Sequence, residues 1–154
     1  MKALIVYYSI YSNTEKIAKI FAKKINADLV NLKESNDVKV DNYDLIGFGS
    51  GVYRESLSPK LISCAETLDL KGKNVFVFST SGIGAKFYNG KMQKIFKAKG
   101  AVCKGSFSCK GYYNSTETKK NIMFEFLRKL SMGHPNDKDI SKAEKFIENV
   151  VKTI

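Results

Sequence analysis

Long hydrophobic runs are missing from this sequence. No apolar stretch approaches the roughly 20 residues that a bilayer-spanning helix needs, so no membrane association is expected. The opening segment, Met1 to Ser9, resembles a leader only superficially. Its apolar part is short and runs into a polar Ser/Asn/Thr turn with no small-residue cleavage site, which reads as the first strand of a cytoplasmic protein. Cysteine is scarce. Cys64, Cys103 and Cys109 are odd in number and none has Cys-x-x-Cys spacing. That argues against a disulfide framework or a zinc site and for reduced thiols in or near the core. Arginine is scarcer: of 26 basic residues only Arg54 and Arg128 are arginines. Specific base readout favours the arginine fork, so nucleic acid is disfavoured despite a formal charge of +11. The lysines are scattered one or two at a time, the pattern of a solvated basic surface that attracts anionic partners. Linkers, internal repeats and low-complexity tracts are also lacking. A single domain over residues 1–154 is expected, long enough to bury a full core.

What is present is an alternation of strand-like and helix-like segments. Ala3 to Tyr8 is a continuous apolar run, as in a parallel strand covered on both faces. Asn13 to Ile25 follows with Ile17, Ile20, Phe21 and Ile25 at helical spacing. Ala27–Leu32 and Asp44–Gly49 are expected to be the second and third strands. Ser58-Pro59 opens a helix, with proline in the first turn where no N–H is needed. Val75–Phe78 is the fourth strand, and Met92, Ile95 and Phe96 mark a helix stopped near Gly100. Ala101–Cys109 is a weaker fifth strand. Ile122, Phe126, Leu127 and Leu130 suggest a short helix ending at Gly133, and Asn136 or Asp137 caps the last helix. Five strands alternating with helices imply an α/β fold: a parallel sheet with right-handed crossovers.

Three polar segments carry the chemistry. Ser9-Ile10-Tyr11-Ser12-Asn13-Thr14 leaves the first strand and opens a helix. Small hydroxyl and amide side chains there leave backbone N–H groups free to face an anion, and the helix N-terminus favours negative charge. A phosphate suits this segment; an ordinary turn capped by Ser12 or Asn13 is the plainer alternative. The segment lacks the Gly-Lys-Ser/Thr of a Walker loop and the Gly-x-Gly-x-x-Gly of a dinucleotide site. Gly49-Ser50-Gly51-Val52-Tyr53 follows the third strand, and Ser79-Thr80-Ser81-Gly82-Ile83-Gly84 follows the fourth. No Ser/His/Asp set or paired carboxylates stand out, so no catalytic residue is assigned. Acidic residues of the kind a phospho-acceptor domain carries after its first strand are absent too.

Ser9, Asn13 and Thr14 match the phosphate loop of the flavodoxin family, with Tyr11 where threonine is usual and Ser12 where glycine is usual. Gly105 to Gly111, followed by Gly133-His134-Pro135-Asn136, resembles a subgroup of its short members, so the likeness spans nearly the whole chain. The resemblance implies a doubly wound five-stranded parallel sheet of order 2-1-3-4-5, with helices on both faces. It implies one FMN, held at the switch point where the three polar segments meet, and electron transfer as the function. The cofactor-binding residues it implies are Ser9, Ile10, Tyr11, Ser12, Asn13 and Thr14 in the first segment. Ser50, Gly51, Val52 and Tyr53 follow in the second, then Thr80, Ser81, Gly82, Ile83 and Gly84 in the third, with Tyr88 beyond. Tyr53 is the candidate to lie against the flavin ring, or else a surface tyrosine. Phe87 and Tyr88 fold over the ring or simply pack. Arg54 either sets positive charge beside the flavin or faces solvent; Arg54-Glu55 stands where the family carries a Gly-Asp pair. Cys109 lies near the same rim, and His134 reads as a turn residue. Family members are usually acidic, so this basic chain is expected to prefer an acidic redox partner, ferredoxin-type or a reductase. An FMN-dependent NAD(P)H oxidoreductase and a flavin-less binding module are the other functions this sequence allows.

Overall fold

The computed structural model describes residues 1–113 and 122–154. Strand β1, Ala3–Tyr8, is buried almost throughout. It feeds helix α1, Asn13–Ile25, whose inner face carries Ile17, Ala18, Phe21 and Ala22. Strand β2, Asp28–Asn31, lies at an edge of the sheet. Residues 32–44 return to strand β3, Leu45–Tyr53, without a helix. The two-residue strand β4, Ser56–Leu57, then folds back antiparallel on β3. Helix α2, Pro59–Thr67, starts as expected: Pro59 stands in its first turn, and the Ser58 hydroxyl accepts the Lys60 N–H at 3.2 Å. Strand β5, Asn74–Ser81, leads through a short 3₁₀ turn, Lys86–Asn89, into helix α3, Gly90–Ala98. Strand β6, Val102–Lys110, helix α4, Ile122–Ser131, and helix α5, Asp137–Val151, follow. Asn136 caps α5 in a capping box with Asp139.

The strand order is β2-β1-β3-β5-β6, all parallel, with β4 paired off the path. Setting β4 aside, this is the 2-1-3-4-5 order of a flavodoxin-like doubly wound sheet. One face is packed by α1 and α5 around Ile5, Phe21, Phe76, Phe78 and Ile147. The other is packed by α2 and α3 around Val6, Phe48, Leu61, Val77 and Phe96. Phe21 centres the first layer, with its ring 5.0 Å from Phe78, 5.7 Å from Phe76 and 5.8 Å from Phe107, all edge-on. No helix among the described residues is long and apolar enough to cross a membrane.

Two strands run further than the hydrophobic pattern predicts. β3 continues through Ser50 and Gly51, and β5 through Ser79 and Thr80, because their ladder continues as Gly49↔Phe78, Ser50↔Ser79 and Gly51↔Thr80, while Val52 and Tyr53 pair with β4 and Ser81 with Lys110 of β6. Backbone pairing holds Ser50, Gly51, Ser79 and Ser81 in strands that the hydrophobic pattern does not mark. The alternate glycines of β3 have a packing role. A Cβ at Gly47, Gly49 or Gly51 would overlap the ring of Phe76, Phe78 or Tyr53, respectively. Helix α4 forms where the sequence suggests, but with its apolar stripe outward: Ile122, Phe126 and Leu130 are 90%, 64% and 38% exposed.

Candidate functional site

β1, β3 and β5 sit side by side in the sheet, so their carboxyl ends deliver the three polar segments to one place. There Ser9, Tyr11, Asn13 and Thr14 share a cleft with Gly51, Val52 and Tyr53 and with Thr80, Ser81 and Gly82. The remaining wall is Gly111, Tyr112 and Tyr113, just past β6. The free volume of the cleft is about 30 Å³, far below the roughly 300–1,000 Å³ of ligand clefts, because Tyr53 lies across it.

The amino end of α1 opens on this cleft. Ser12 stands at its N-cap position in the left-handed region, φ 63°, and no side chain caps the helix. The plainer alternative, a turn capped by the Ser12 or Asn13 side chain, is therefore not what forms. A left-handed backbone directs the Ser12 side chain away from the capping position, and the Asn13 amide donates instead to the Tyr112 carbonyl at 2.8 Å. The conformation explains why glycine is usual at position 12. The first-turn N–H groups are thus left to another acceptor. Thr14 is buried, and its hydroxyl meets that of Thr80 at 2.8 Å, joining the first and third polar segments. Among the described residues, none that lines the cleft is a carboxylate. An uncapped helix terminus, the hydroxyls of Ser9 and Thr14 and a carboxylate-free wall make a donor set suited to a phosphate.

Tyr53 crosses the cleft. Its ring lies over Gly51 and edge-on to Tyr8 at 5.9 Å, and its hydroxyl accepts the Ile10 N–H at 3.0 Å. Burial pushes its pKa up to about 12, outweighing the opposing effect of the Ile10 hydrogen bond. The Ile10 side chain itself is exposed. Arg54 and Glu55, beyond Tyr53, both have positive φ, 49° and 64°, as the two-residue β3–β4 hairpin requires. Both are exposed.

The other expected residues take different places. The Ser50 hydroxyl is buried, accepting the Ser58 N–H at 2.9 Å and donating to the Gly51 carbonyl. It braces the start of α2 and does not line the cleft. Gly84 has φ 66° and backs onto Lys110, and Ile83 is exposed. Tyr88 is half-buried against the exposed Phe87, ring centres 4.2 Å apart. Neither belongs to the cleft lining. Cys109 is buried, which pushes its thiol up to about 12. It is a core thiol and not a reactive thiolate at neutral pH. His134 sits in the turn before α5, its Nδ1 2.5 Å from the Asp139 carboxylate.

Sequence reasoning missed Gly111, Tyr112 and Tyr113. Gly111 packs against Asn13, where a Cβ would crowd the amide, and Tyr113 meets Tyr11 edge-on at 5.8 Å. The available signal was two tyrosines directly after the Gly111 that ends the fifth strand.

Comparison with known proteins agrees with the topology. Residues 4–138 match the family model of the flavodoxin domain. An uncharacterized protein of Methanocaldococcus jannaschii is 37% identical over 155 residues, covering 99% of both chains. The two-electron reduced flavodoxin of Megasphaera elsdenii superposes with a TM-score of 0.69 at 19% identity, covering 97% of this chain and 98% of that one. Rubredoxin:oxygen oxidoreductase from Desulfovibrio gigas gives 0.72 at 13% identity. That match takes in 99% of this chain and 35% of that protein, so this chain spans about a third of its length. At these identities the structural matches speak for the fold.

Proposed function

The chain belongs to the flavodoxin domain family, and from that premise we propose that it binds one FMN in the β1–β3–β5 cleft and exchanges electrons with a redox protein. One observation carries the reading: α1 presents an N-terminus that the Ser12 side chain does not cap to a cleft whose described lining residues include no carboxylate. Buried N–H donors need acceptors, and a single phosphate supplies them. In this reading the first-turn amides of α1, with the Ser9 and Thr14 hydroxyls, hold the phosphate. The backbone of Ser81 and Gly82 lets a flat ring approach closely, and the Tyr53 ring, which lies over Gly51, moves aside to admit it. Tyr53, Tyr112 and Tyr113 offer aromatic surface at the mouth of the cleft. The Thr14–Thr80 hydroxyl contact ties the phosphate end to the ring end. Bound FMN supplies the electron-accepting chemistry, while the protein supplies position and electrostatics.

The cleft offers one anion-binding helix terminus and no dinucleotide fingerprint, so FMN is expected to bind more tightly than FAD. Titrating the purified protein with FMN, FAD and riboflavin, followed by flavin fluorescence, tests this. Saturable FMN binding, stronger than that of FAD or riboflavin, is the expected result. Absence of FMN binding, or a preference for FAD, would overturn the reading.

A further inference from the structure

Helix α4 carries an apolar stripe on its solvent side. Ile122, Phe126 and Leu130 recur every fourth residue and are 90%, 64% and 38% exposed. Contiguous exposed apolar surface rimmed by polar groups marks an interaction site. The inner side of the same helix reaches the cleft. Leu127 packs beside Gly82, where a Cβ would stand 3.8 Å from that of Leu127. Phe124 stacks on Tyr113 at 6.4 Å, and Tyr113 meets Tyr11 of the first polar segment at 5.8 Å. A partner seated on the stripe is therefore separated from the cleft by the thickness of one helix, about 10 Å. Phe87 and Ile83, which do not line the cleft, are also exposed, at 70% and 41%.

The charge around this surface is basic. Lys129 is exposed on α4, and Lys86 is exposed beside Phe87. Lys110 contacts Gly84 in the loop between β5 and the 3₁₀ turn. The one carboxylate on α4, Glu125, is held by Arg128 at 2.9 Å. A second copy of this chain is a poor occupant, because two molecules of formal charge +11 repel. An acidic protein is complementary. We propose that the outward stripe of α4, with Lys129 exposed beside it on a molecule of formal charge +11, is the docking surface for an acidic redox protein that exchanges electrons at the adjoining cleft. This deepens, and rests on, the FMN electron-transfer reading above. Ile122 and Phe126 serve as central apolar anchors, and the lysines steer the approach.

Isothermal titration of the FMN-loaded protein with an acidic [4Fe–4S] ferredoxin at low ionic strength tests the proposal. The Ile122→Ser/Phe126→Ser double variant is expected to bind about tenfold more weakly, as loss of central anchors does. Its FMN affinity and thermal melt should match the parent, since both side chains point to solvent. Leu29→Ser, which removes an exposed apolar residue at the far edge strand β2, should leave ferredoxin binding unchanged. Raising the salt should weaken the parent complex. Equal ferredoxin affinity for parent and double variant, or no ferredoxin binding by the parent, overturns the proposal. So does a parent that sediments as a dimer which the double variant disperses. FMN titration of the same samples reads the cofactor assignment separately, and ferredoxin titration of FMN-free protein reads docking alone.

Discussion

Tyr53 reaches across 43 positions of chain so that its hydroxyl accepts the backbone N–H of Ile10 at 3.0 Å. The contact bridges the second polar segment to the first, and it engages one of the amides that leads into the α1 N-terminus. It also fills part of the cleft, because the ring lies over Gly51, which has no side chain to obstruct it.

Tyr53→Phe keeps the ring and removes this bond. The ligand-free protein should lose about 1 kcal/mol of stability, the usual worth of a neutral hydrogen bond. FMN should bind a few-fold more tightly, because the Ile10 amide no longer has to exchange one acceptor for another. Thermal melts with and without FMN read both quantities. Weaker FMN binding by the variant would instead make the Tyr53 hydroxyl a cofactor ligand.

Thr14→Ala removes a hydroxyl assigned to the phosphate and unpairs Thr80. FMN affinity should fall by about 1–3 kcal/mol, the worth of a hydrogen bond to a charged group. Riboflavin, which has no phosphate, should be nearly indifferent. Thr80→Ala breaks the same pair from the other side and should affect the two ligands equally. Fluorescence titration of both ligands against both variants separates a lost phosphate contact from a loosened fold.

Ser12→Gly relieves a left-handed residue at φ 63°. The strain is about 1–2 kcal/mol, and glycine's extra freedom in the unfolded chain returns about 0.5–1 kcal/mol of it. A net gain of about 0.5–1 kcal/mol is expected, with FMN binding retained. Urea denaturation measures it; a loss of stability would show that the Ser12 side chain contributes something its conformation does not reveal.

Alkaline conditions should destabilise the fold through Cys109 and Tyr53. Burial raises both folded-state values to about 12, above their ordinary 9.0 and 10.0. The stability due to each is fully present below its ordinary value. It is lost as pH rises toward the folded value, because the unfolded chain releases its protons first. Denaturation midpoints should therefore fall from about pH 9 upward, and less steeply in Cys109→Ala than in the parent. Iodoacetamide at pH 8 should label the exposed Cys103 and spare the buried Cys109.

The sequence by itself determined the class of fold and where its polar segments follow the strands. The apolar run Ala3–Tyr8 and the helical spacing of Ile17, Phe21 and Ile25 follow from burial on two faces and on one face, and such periodicity is local information. The Ser58-Pro59 start and the Asn136 cap were legible for the same reason, since capping chemistry acts within one turn. What tertiary structure decided was everything that depends on a distant partner. Only pairing with β5 and β4 makes Ser50 to Tyr53 a strand, and only the rings of Phe76, Phe78 and Tyr53 account for the glycines they cover. The Tyr112 carbonyl, far along the chain, takes the Asn13 amide and leaves α1 uncapped. The stripe on α4 shows the limit most clearly. Periodicity revealed an apolar face, but it could not tell which way that face points, because direction is set by what the opposite side, Phe124 and Leu127, packs against.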